Sequence, residues 1–407
     1  MRVLLFTGKG GVGKTTLAAA TAAALAARGR KALVVSTDPA HSLADALGHE
    51  LGDRPSEVDG GLYGVQIDPR GLVDEAWHEL RRHLHTMLAG AGIDELEAEE
   101  LTVLPGVEEL LTLAEVHRLA GPDAVTGPWN TVIVDCGPTA ETLRLLALPE
   151  AVGRYLERLF PAHRRAVAGL LATMAGSSAP THWDAAAEAI GRLADHLRAV
   201  HTLLTDQDRT SVRLVLTPER VVVAETRRTL TALALQGIHV DTLIANRLLP
   251  DPAASTGPAA DWLAARRAEQ LAVLDELRAT SVPAVRTVGH RGSEPVGVPA
   301  LVDLAGELYP EADPLPGPTP PGGRLLSVRS EGQGADLRYR LRIAVPLTEH
   351  SELDLARVDD ELSVTVDGRR RMIALPSALR RCEVDDARVD DGGLVVWFHP
   401  DPRLWMR

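Results

Sequence analysis

A glycine-rich segment near the start of the chain carries the clearest chemical signal in the sequence. Residues 8–16 read GKGGVGKTT and match the pattern G-x-x-x-x-G-K-[ST] between an apolar run and a helix-like stretch. Glycines let backbone N–H groups converge on phosphate oxygens, Lys14 can reach the β- and γ-phosphates, and the Thr15 hydroxyl can ligate Mg²⁺. We therefore predict a site for ATP and Mg²⁺ that is formed by Gly10, Gly11, Val12, Gly13, Lys14, Thr15 and Thr16.

A second lysine, Lys9, lies early in the same segment. A cation at this position would add positive charge where negative charge develops during phosphoryl transfer. The plainer alternative is a solvated loop lysine with no role in chemistry. We expect Lys9 to act with Lys14 in catalysis.

Two aspartates follow apolar runs that are typical of buried strands. Asp135 comes directly after residues 131–134, which is the Walker B arrangement, and is placed to hold Mg²⁺ directly or through water. Asp38 follows the run at 32–35 and would lie on the ligand edge of a parallel sheet. It is suited to orient the attacking water or to accept its proton. An Asp before a Pro is equally typical of a helix N-cap, so the residue alone leaves both roles open.

The segments around these residues alternate between strand and helix. Apolar runs at 3–6, 32–35, 131–134, 212–216 and 242–245 predict buried strands, and an alanine-rich helix is expected over about 16–27. This alternation indicates an α/β fold of the P-loop NTPase type with a mostly parallel sheet. Two long helical stretches, about 72–120 and 150–205, favour a helical subdomain inserted into the sheet. The alternative is that they are the long crossover helices of the sheet itself.

The sequence changes character after a segment rich in proline and glycine. Residues 311–323 read EADPLPGPTPPGG, which predicts a semi-rigid linker. Beyond it, residues 337–343, 362–366 and 394–398 alternate polar and apolar side chains, with turn signals at Asp367-Gly368 and at 391–393. We predict an ATPase domain over 1–310, the linker over 311–323 and a small antiparallel β-sandwich over 324–407.

Composition narrows the classes of function. The 407-residue chain has a net charge of −13, which argues against a nonspecific nucleic-acid binder, although a local basic patch is compatible with this total. Its two cysteines, Cys136 and Cys382, cannot form a disulfide framework or a four-cysteine zinc site, and they fit a reducing cytosol. The sequence contains no run of about 18 apolar residues, so we expect a cytoplasmic protein without an integral membrane segment.

The order of these motifs resembles a known family over residues 1–309. The extra lysine makes GKGGVGKTT a deviant Walker A motif, DPAHS at 38–42 resembles the family's first switch, and DCGPTAETLRLL at 135–146 resembles its second. LPGVEE at 104–109 resembles the family's PG-x-x-E segment. The family is that of the ArsA ATPases and their eukaryotic relative, the guided-entry ATPase that delivers tail-anchored membrane proteins.

The resemblance implies a homodimer and a hydrophobic client. In this class the early lysine, here Lys9, reaches the phosphates of the other subunit, and Asn246 matches the asparagine that contacts adenine. Helices of the inserted subdomain form an apolar groove for a transmembrane helix, which a membrane receptor then accepts. The apolar stripe at 80–88 fits such a groove or an ordinary core, and residues 168–178 are expected to contact the client.

The chain departs from the family pattern at two points. Ala140 and Glu141 replace the usual Gly and His of the second switch. We expect these replacements to affect how this switch is coupled to the helical subdomain. The zinc-binding CxxC of the guided-entry enzyme and the cysteines of arsenite-binding ArsA proteins are absent. A thiophilic metalloid requires clustered thiolates.

The predicted sandwich resembles an α-crystallin domain. The segments that carry this resemblance are 339–346, 362–366, 373–376 and 393–396. A variant of the guided-entry ATPases has such a domain at its C-terminus. The domain is suited to hold unfolded segments or to brace the dimer, and the sequence leaves both open.

We therefore expect a Mg²⁺-dependent ATPase that acts as a homodimer, with Asp38 positioning water, and hands over hydrophobic helices. One alternative is the ATPase subunit of an arsenite or oxyanion efflux system, against which the missing cysteines weigh. A second is a positioning ATPase of the partition or division type, although the chain ends in a sandwich rather than an amphipathic membrane helix. A third is a holdase in which ATP is only a structural switch.

Overall fold

The fold is seen in a computed structural model. It describes residues 1–38, 42–68, 107–121, 128–138, 195, 198–253, 255–280, 283–315, 317, 324–332, 337–345, 352–390 and 393–401.

Strands and helices alternate through the first three quarters of these residues, and strands dominate the rest. The strands are β1 (Arg2–Gly8), β2 (Ala32–Ser36), β3 (Ser56–Asp59), β4 (Leu62–Gln66), β5 (Thr131–Pro138), β6 (Thr210–Leu216), β7 (Val240–Leu248), β8 (Ala284–Gly289), β9 (Leu326–Glu331), β10 (Arg338–Ile343), β11 (Leu353–Val358), β12 (Glu361–Val366), β13 (Arg369–Ala374), β14 (Cys382–Asp390) and β15 (Gly393–Pro400). The helices are α1 (Lys14–Ala27), α2 (Ser42–Leu47), α3 (Val107–Leu119), α4 (Arg220–Leu235), α5 (Pro258–Thr280), α6 (Val298–Leu308) and α7 (Ser377–Arg380).

The chain folds into two compact units, each with its own group of neighbouring strands. The first unit comprises Met1–Val3, Thr15–Leu204 and Pro295–Asp303, and the second comprises Leu4–Lys14, Thr205–Glu294 and Leu304–Arg407. In the first, β2 runs parallel to β4 and β5, while β3 pairs antiparallel with β4. In the second, β7 runs parallel to β6 and β8. The prediction of a mostly parallel α/β sheet is confirmed.

Burial explains why these strands were readable from the sequence. Every residue of β2 and of β6 is buried, so each reads as a short apolar run. Strands β3, β4 and β8 were not predicted. The residues of β3 alternate between half-buried and exposed, and it has no apolar run.

Helix α1 begins at Lys14 and ends at Ala27, close to the predicted bounds. Gly29 stops it in the left-handed conformation, with φ of 76°. The Gly29 N–H donates to the Ala26 carbonyl and the Arg30 N–H to the Leu25 carbonyl, which is the hydrogen-bond pattern of a Schellman cap.

The predicted helical subdomain is described only in part. Within it, α3 and residues 198–205 are helical, as the sequence indicates. The apolar stripe at 80–88, the predicted client segment at 168–178, and Ala140 and Glu141 lie outside the described residues. Among the residues that are described, no helix is both long and apolar enough to cross a lipid bilayer.

The C-terminal strands form two antiparallel sheets, as predicted for a sandwich. One has the order β14-β15-β10-β9 and the other β11-β12-β13. Their inward faces share one core, which includes Leu341, Val364 and Phe398, all fully buried. The predicted turn at Asp367-Gly368 joins β12 to β13, and both residues have positive φ (49° and 75°), as a type I′ hairpin requires.

The sandwich core extends onto the end of helix α4. Leu235, the last residue of α4, is 3% exposed and belongs to the core cluster of the sandwich. Next to it, the Leu325 N–H donates to the Gln207 side chain at 3.3 Å, and Arg324 pairs with Asp208 at 3.2 Å. The sandwich therefore packs directly against the end of α4 and against residues 207 and 208. All of these segments belong to the second unit.

A buried arginine anchors the start of the predicted linker. Arg213 on β6 is 3% exposed and donates to the Tyr309 hydroxyl at 2.5 Å and to the carbonyl of Pro314. Asp241 on β7 lies 3.4 Å from the same guanidinium. Burial opposes the charge of Arg213, but Tyr309 and Asp241 outweigh it and hold its pKa above the ordinary value.

Candidate functional site

The glycine-rich segment forms the turn between β1 and α1, as the sequence predicts. Gly8 lies so close to β6 that a Cβ atom there would stand 2.1 Å from the Val215 carbonyl oxygen. Gly11 and Gly13 have φ values of 77° and 93°, which side chains rarely permit. The loop therefore depends on its glycines for both conformation and close approach.

Asn246, near the end of β7, packs against this loop. Its Nδ2 donates to the Val12 carbonyl at 2.8 Å, and its Oδ1 accepts from the Arg247 N–H at 2.9 Å. A Cβ atom on Gly13 would lie 2.4 Å from the same Nδ2. Asn246 thus braces the loop, which its predicted contact with adenine did not anticipate. Each polar atom of the amide keeps one further hydrogen-bonding position, so an adenine contact stays a prediction.

The two lysines of the loop differ in environment. Lys14 is 6% exposed, and its Nζ donates to the Lys9 carbonyl at 3.3 Å. Among the described residues, no carboxylate lies within ion-pair distance of Lys14. A buried ammonium without a counter-ion is costly, so this position favours an anion beside it. Lys9 is exposed, as a side chain that reaches another molecule must be.

The residues that follow the loop carry hydroxyl groups. The Thr15 Oγ1 on α1 lies 3.2 Å from the Ser42 Oγ at the start of α2. Thr16, the last predicted residue of the loop, is half-buried in the same first turn of α1. The oxygen atoms of these two hydroxyl groups are hard ligands of the type that Mg²⁺ prefers.

Three neighbouring strands of the first unit carry polar residues at matching register positions. Strand register places Ser36 of β2 beside Gln66 of β4 on one side and Asp135 of β5 on the other. Asp135 is fully buried, and the Ser36 Oγ donates to its Oδ2 at 3.4 Å. A buried carboxylate that receives a hydrogen bond is held in one orientation. The carboxylate oxygens of Asp135 are suited to ligate Mg²⁺, directly or through water.

Asp38 lies shortly after the end of β2. Its N–H donates to the Ser36 Oγ at 3.2 Å, and its carbonyl accepts from the Gln66 Nε2 at 2.8 Å. The backbone of Asp38 is therefore fixed by the strands beside it. Helix α2 begins only at Ser42, so Asp38 does not stand directly before it as an N-cap would.

Sequence reasoning missed three polar residues of this region: Ser36, Ser42 and Gln66. Ser36 and Gln66 orient Asp135 and Asp38, and Ser42 contacts Thr15. A polar residue at the end of an apolar strand was the available signal for Ser36 and Gln66.

A glycine-rich loop between a strand and a helix that begins with Lys14-Thr15, and a buried Asp on a parallel strand, are the features of a P-loop NTPase. The chain belongs to the ArsA ATPase family, because the family model described as "Anion-transporting ATPase" matches residues 1–310. A second family model, described as "HSP20-like domain found in ArsA", matches residues 336–398. The resemblances drawn from the motifs and from the C-terminal strands are both confirmed.

Some relatives align over nearly the whole chain, and others over part of it. Protein Rv2184c of Mycobacterium tuberculosis is 41% identical, over 99% of this chain and 97% of its own length. A Prosthecochloris vibrioformis protein named "Putative arsenical pump-driving ATPase" is 32% identical, over 98% of this chain and 95% of its own. The "ATPase get3" of Aspergillus terreus is 28% identical, over 68% of this chain and 81% of its own.

Proposed function

We propose that this protein is a Mg²⁺-dependent ATP hydrolase that works as a nucleotide-switched homodimer and hands over hydrophobic helices of membrane proteins. The observation that carries the nucleotide part is the buried Lys14 ammonium, which has no carboxylate partner among the described residues. The phosphates of ATP would supply the missing negative charge. Membership of the ArsA ATPase family supports the same reaction.

Each residue of the site has a distinct role in this proposal. The backbone of Gly10, Gly11, Val12 and Gly13 cradles the phosphates, and Lys14 neutralises their charge. Thr15 and Asp135 would hold a magnesium ion, which would supply positive charge beside the phosphates. Asp38 orients the attacking water, and the hydrogen bonds to its backbone from Ser36 and Gln66 support that placement.

Lys9 and Asn246 complete the site. The exposed position of Lys9 supports its reaching the phosphates of a second subunit, where it would stabilise the charge of the transition state. Asn246 contacts adenine through its remaining hydrogen-bonding positions while it braces the loop through Val12. Binding of the base and shaping of the phosphate loop are then linked through one side chain.

The client part of the proposal rests on family likeness. A relative is named ATPase get3, and the family resemblance implies a groove built from helices at about 72–120 and 150–205. In this proposal the protein is cytoplasmic, its ATPase domain covers 1–310, and the residues 324–407 form the sandwich. A membrane receptor takes the client when hydrolysis separates the subunits.

A second candidate is the ATPase subunit of an arsenite or oxyanion efflux system. The printed names of the Prosthecochloris relative and of the family model favour it. The thiols of the chain do not support arsenite as ligand, because both Cys136 and Cys382 are buried. Burial raises the pKa of Cys382, although Arg357 acts in the opposite direction, and metalloid binding requires a thiolate.

A client trap tests the proposal. Tagged Asp38→Asn protein is purified from its native cells in ATP and Mg²⁺, and the co-purifying chains are identified by mass spectrometry. Lys14→Ala protein, which should not hold nucleotide, is the matched blank. We expect proteins with terminal or isolated apolar helices to be enriched on Asp38→Asn and absent from Lys14→Ala.

The efflux alternative predicts a different result from the same proteins. The trap would then retain no such clients, and arsenite or antimonite would stimulate ATP hydrolysis by the wild-type chain. That combination would replace the targeting proposal with the efflux one.

A further inference from the structure

The outward face of the four-stranded sandwich sheet concentrates arginine side chains. Leu341 and Ile343 of β10 fill the core, so the alternating residues Arg340 and Arg342 lie on the other face. Strand register places Arg340 directly opposite Arg329 on β9 and Arg342 opposite Ser327. We call the set Ser327, Arg329, Arg340 and Arg342 the arginine face.

A cavity of about 290 Å³ opens on the arginine face, and the described residues that line it are the same four. Each of these side chains carries hydrogen-bond donors, and the three guanidinium groups carry only donors. A cavity of this size holds a phosphate group with a substituent, such as a second phosphate. Its lining therefore matches an anion better than a neutral or cationic ligand.

The positive charges of this face are only partly balanced. Like charges on directly opposed residues of paired strands destabilise a sheet, and Arg329 faces Arg340 in this way. Asp390 lies 3.4 Å from Arg340 and offsets that charge. Arg329 is exposed and has no ion-pair partner among the described residues. A bound anion would relieve the repulsion between Arg329 and Arg340.

An aromatic ring holds part of the face in place. Trp397 of β15 lies opposite Arg340, and the guanidinium of Arg340 stands 5.9 Å from the centre of its ring. Arg388 of β14 approaches the same ring at 5.8 Å. Cation–π contacts of this kind fix the plane of a guanidinium and so pre-organise its fork of donors. Pre-organised donors lose less entropy when they bind a ligand.

We propose that the arginine face is a binding site for a small, multiply charged oxyanion of the phosphate class, either free in solution or as the headgroup of a lipid. Arginines from two strands converge on one cavity, and a tetrahedral phosphate can accept hydrogen bonds from several forks at once. This site is separate from the phosphate loop, which presents backbone N–H groups and Lys14 instead. Such a local basic site is compatible with the net charge of −13 of the whole chain.

Calorimetric titration with inorganic pyrophosphate tests the proposal on the full-length protein. The variants are Lys14→Ala, which disables the phosphate loop, and Arg329→Gln with Arg342→Gln, which removes two charges from the arginine face. Arg369→Gln is the matched control, because Arg369 is an exposed arginine of the other sandwich sheet. Unchanged thermal melting of the double arginine variant would show that it is folded.

We expect one pyrophosphate site to survive in Lys14→Ala and to weaken at least tenfold in the double arginine variant, as the loss of charge-assisted hydrogen bonds implies. Arg369→Gln should bind like the wild type, and Arg329→Lys should fall between wild type and Arg329→Gln. Loss of all pyrophosphate binding in Lys14→Ala would overturn the proposal. So would equal binding by the double arginine variant and the Arg369→Gln control.

Vesicles distinguish the two sources of the anion. Co-sedimentation with vesicles of phosphatidic acid in phosphatidylcholine, competed by pyrophosphate and lost in the double arginine variant, would identify a lipid headgroup. Tight pyrophosphate binding without such co-sedimentation would identify a free anion. Binding of neither probe would contradict the site.

Discussion

Two arginine environments in the second unit show opposite uses of the same side chain. Arg213 on β6 is 3% exposed; its Nη1 donates to the Tyr309 hydroxyl, and its Nη2 donates to the Asp241 carboxylate and the Pro314 carbonyl. Arg329 on β9 is exposed and has no partner among the described residues. The fold uses both Nη groups of the buried guanidinium, whereas the exposed one makes no ion pair with a described residue and is available to the proposed anion. Burial and satisfied hydrogen bonds, rather than residue type, separate a structural cation from a binding one.

The two arginines also differ in what they hold together. Arg213 joins β6 and β7 to the segment after helix α6, where the predicted linker begins. Together with Leu235 in the sandwich core, this contact gives the sandwich a fixed base on the second unit. On the arginine face, by contrast, Arg329 and Arg340 stand directly opposite each other with like charges, and of these two only Arg340 has an ion-pair partner among the described residues, Asp390. This difference predicts how each arginine responds to substitution.

The largest effect on stability is expected from Arg213→Met. The change leaves the Asp241 carboxylate buried without its cation, and breaking a buried pair in this way costs about 3–5 kcal/mol of unfolding free energy. Urea denaturation followed by circular dichroism measures the loss. A second variant, Arg213→Met with Asp241→Leu, should recover most of it, since removing both charges avoids the uncompensated one. A single variant as stable as the wild type would refute the structural role.

A smaller effect is expected from Tyr309→Phe. This change removes the hydroxyl that accepts from Arg213 at 2.5 Å but keeps the ring under the guanidinium. We expect a loss of about 1.5–3 kcal/mol, as for a hydrogen bond to a charged group. The same denaturation experiment measures it. A cost equal to that of Arg213→Met would mean that the hydroxyl, rather than the ion pair, carries the cluster.

Arg329→Gln should have the smallest effect on stability, within about 0.5 kcal/mol of the wild type, because the residue is exposed and makes no ion pair with a described residue. The comparison becomes sharper in saturating pyrophosphate. A ligand at a hundred times its dissociation constant stabilises the folded state by about 2.7 kcal/mol, and Arg329→Gln should lose much of that gain. Measurements are made in the Lys14→Ala background, so that the phosphate loop does not contribute. Equal stabilisation of both chains would remove the contrast with Arg213.

Local patterns explain what the sequence could predict. The phosphate loop was found because its glycines and Lys14 are contiguous, and the sandwich strand β10 because its side chains alternate. Strand β14 was missed since it lies at a sheet edge, where most of its residues are exposed and no alternation survives. Edge strands therefore need tertiary information that periodicity lacks.

Sequence motifs could not predict the contacts of the site that depend on how the strands pair. Ser36, Gln66 and Asp135 become neighbours only when β2 lies between β4 and β5. Likewise, Asn246 contacts Val12 although the two residues are 234 positions apart in the sequence. The resemblance assigned Asn246 to adenine, and its bracing of the loop emerged only from three-dimensional contacts.

The most direct test of the account is steady-state phosphate release from ATP by the full-length protein, with Mg²⁺ and with EDTA. The wild type, Lys14→Ala and Asp38→Asn are compared, and nucleotide binding is measured in parallel. We predict Mg²⁺-dependent turnover that falls at least about a hundredfold in both variants, while Asp38→Asn still binds ATP and Lys14→Ala does not. Turnover by Lys14→Ala at the wild-type rate, or wild-type turnover that persists in EDTA, would contradict the assignment of the phosphate loop as the catalytic centre.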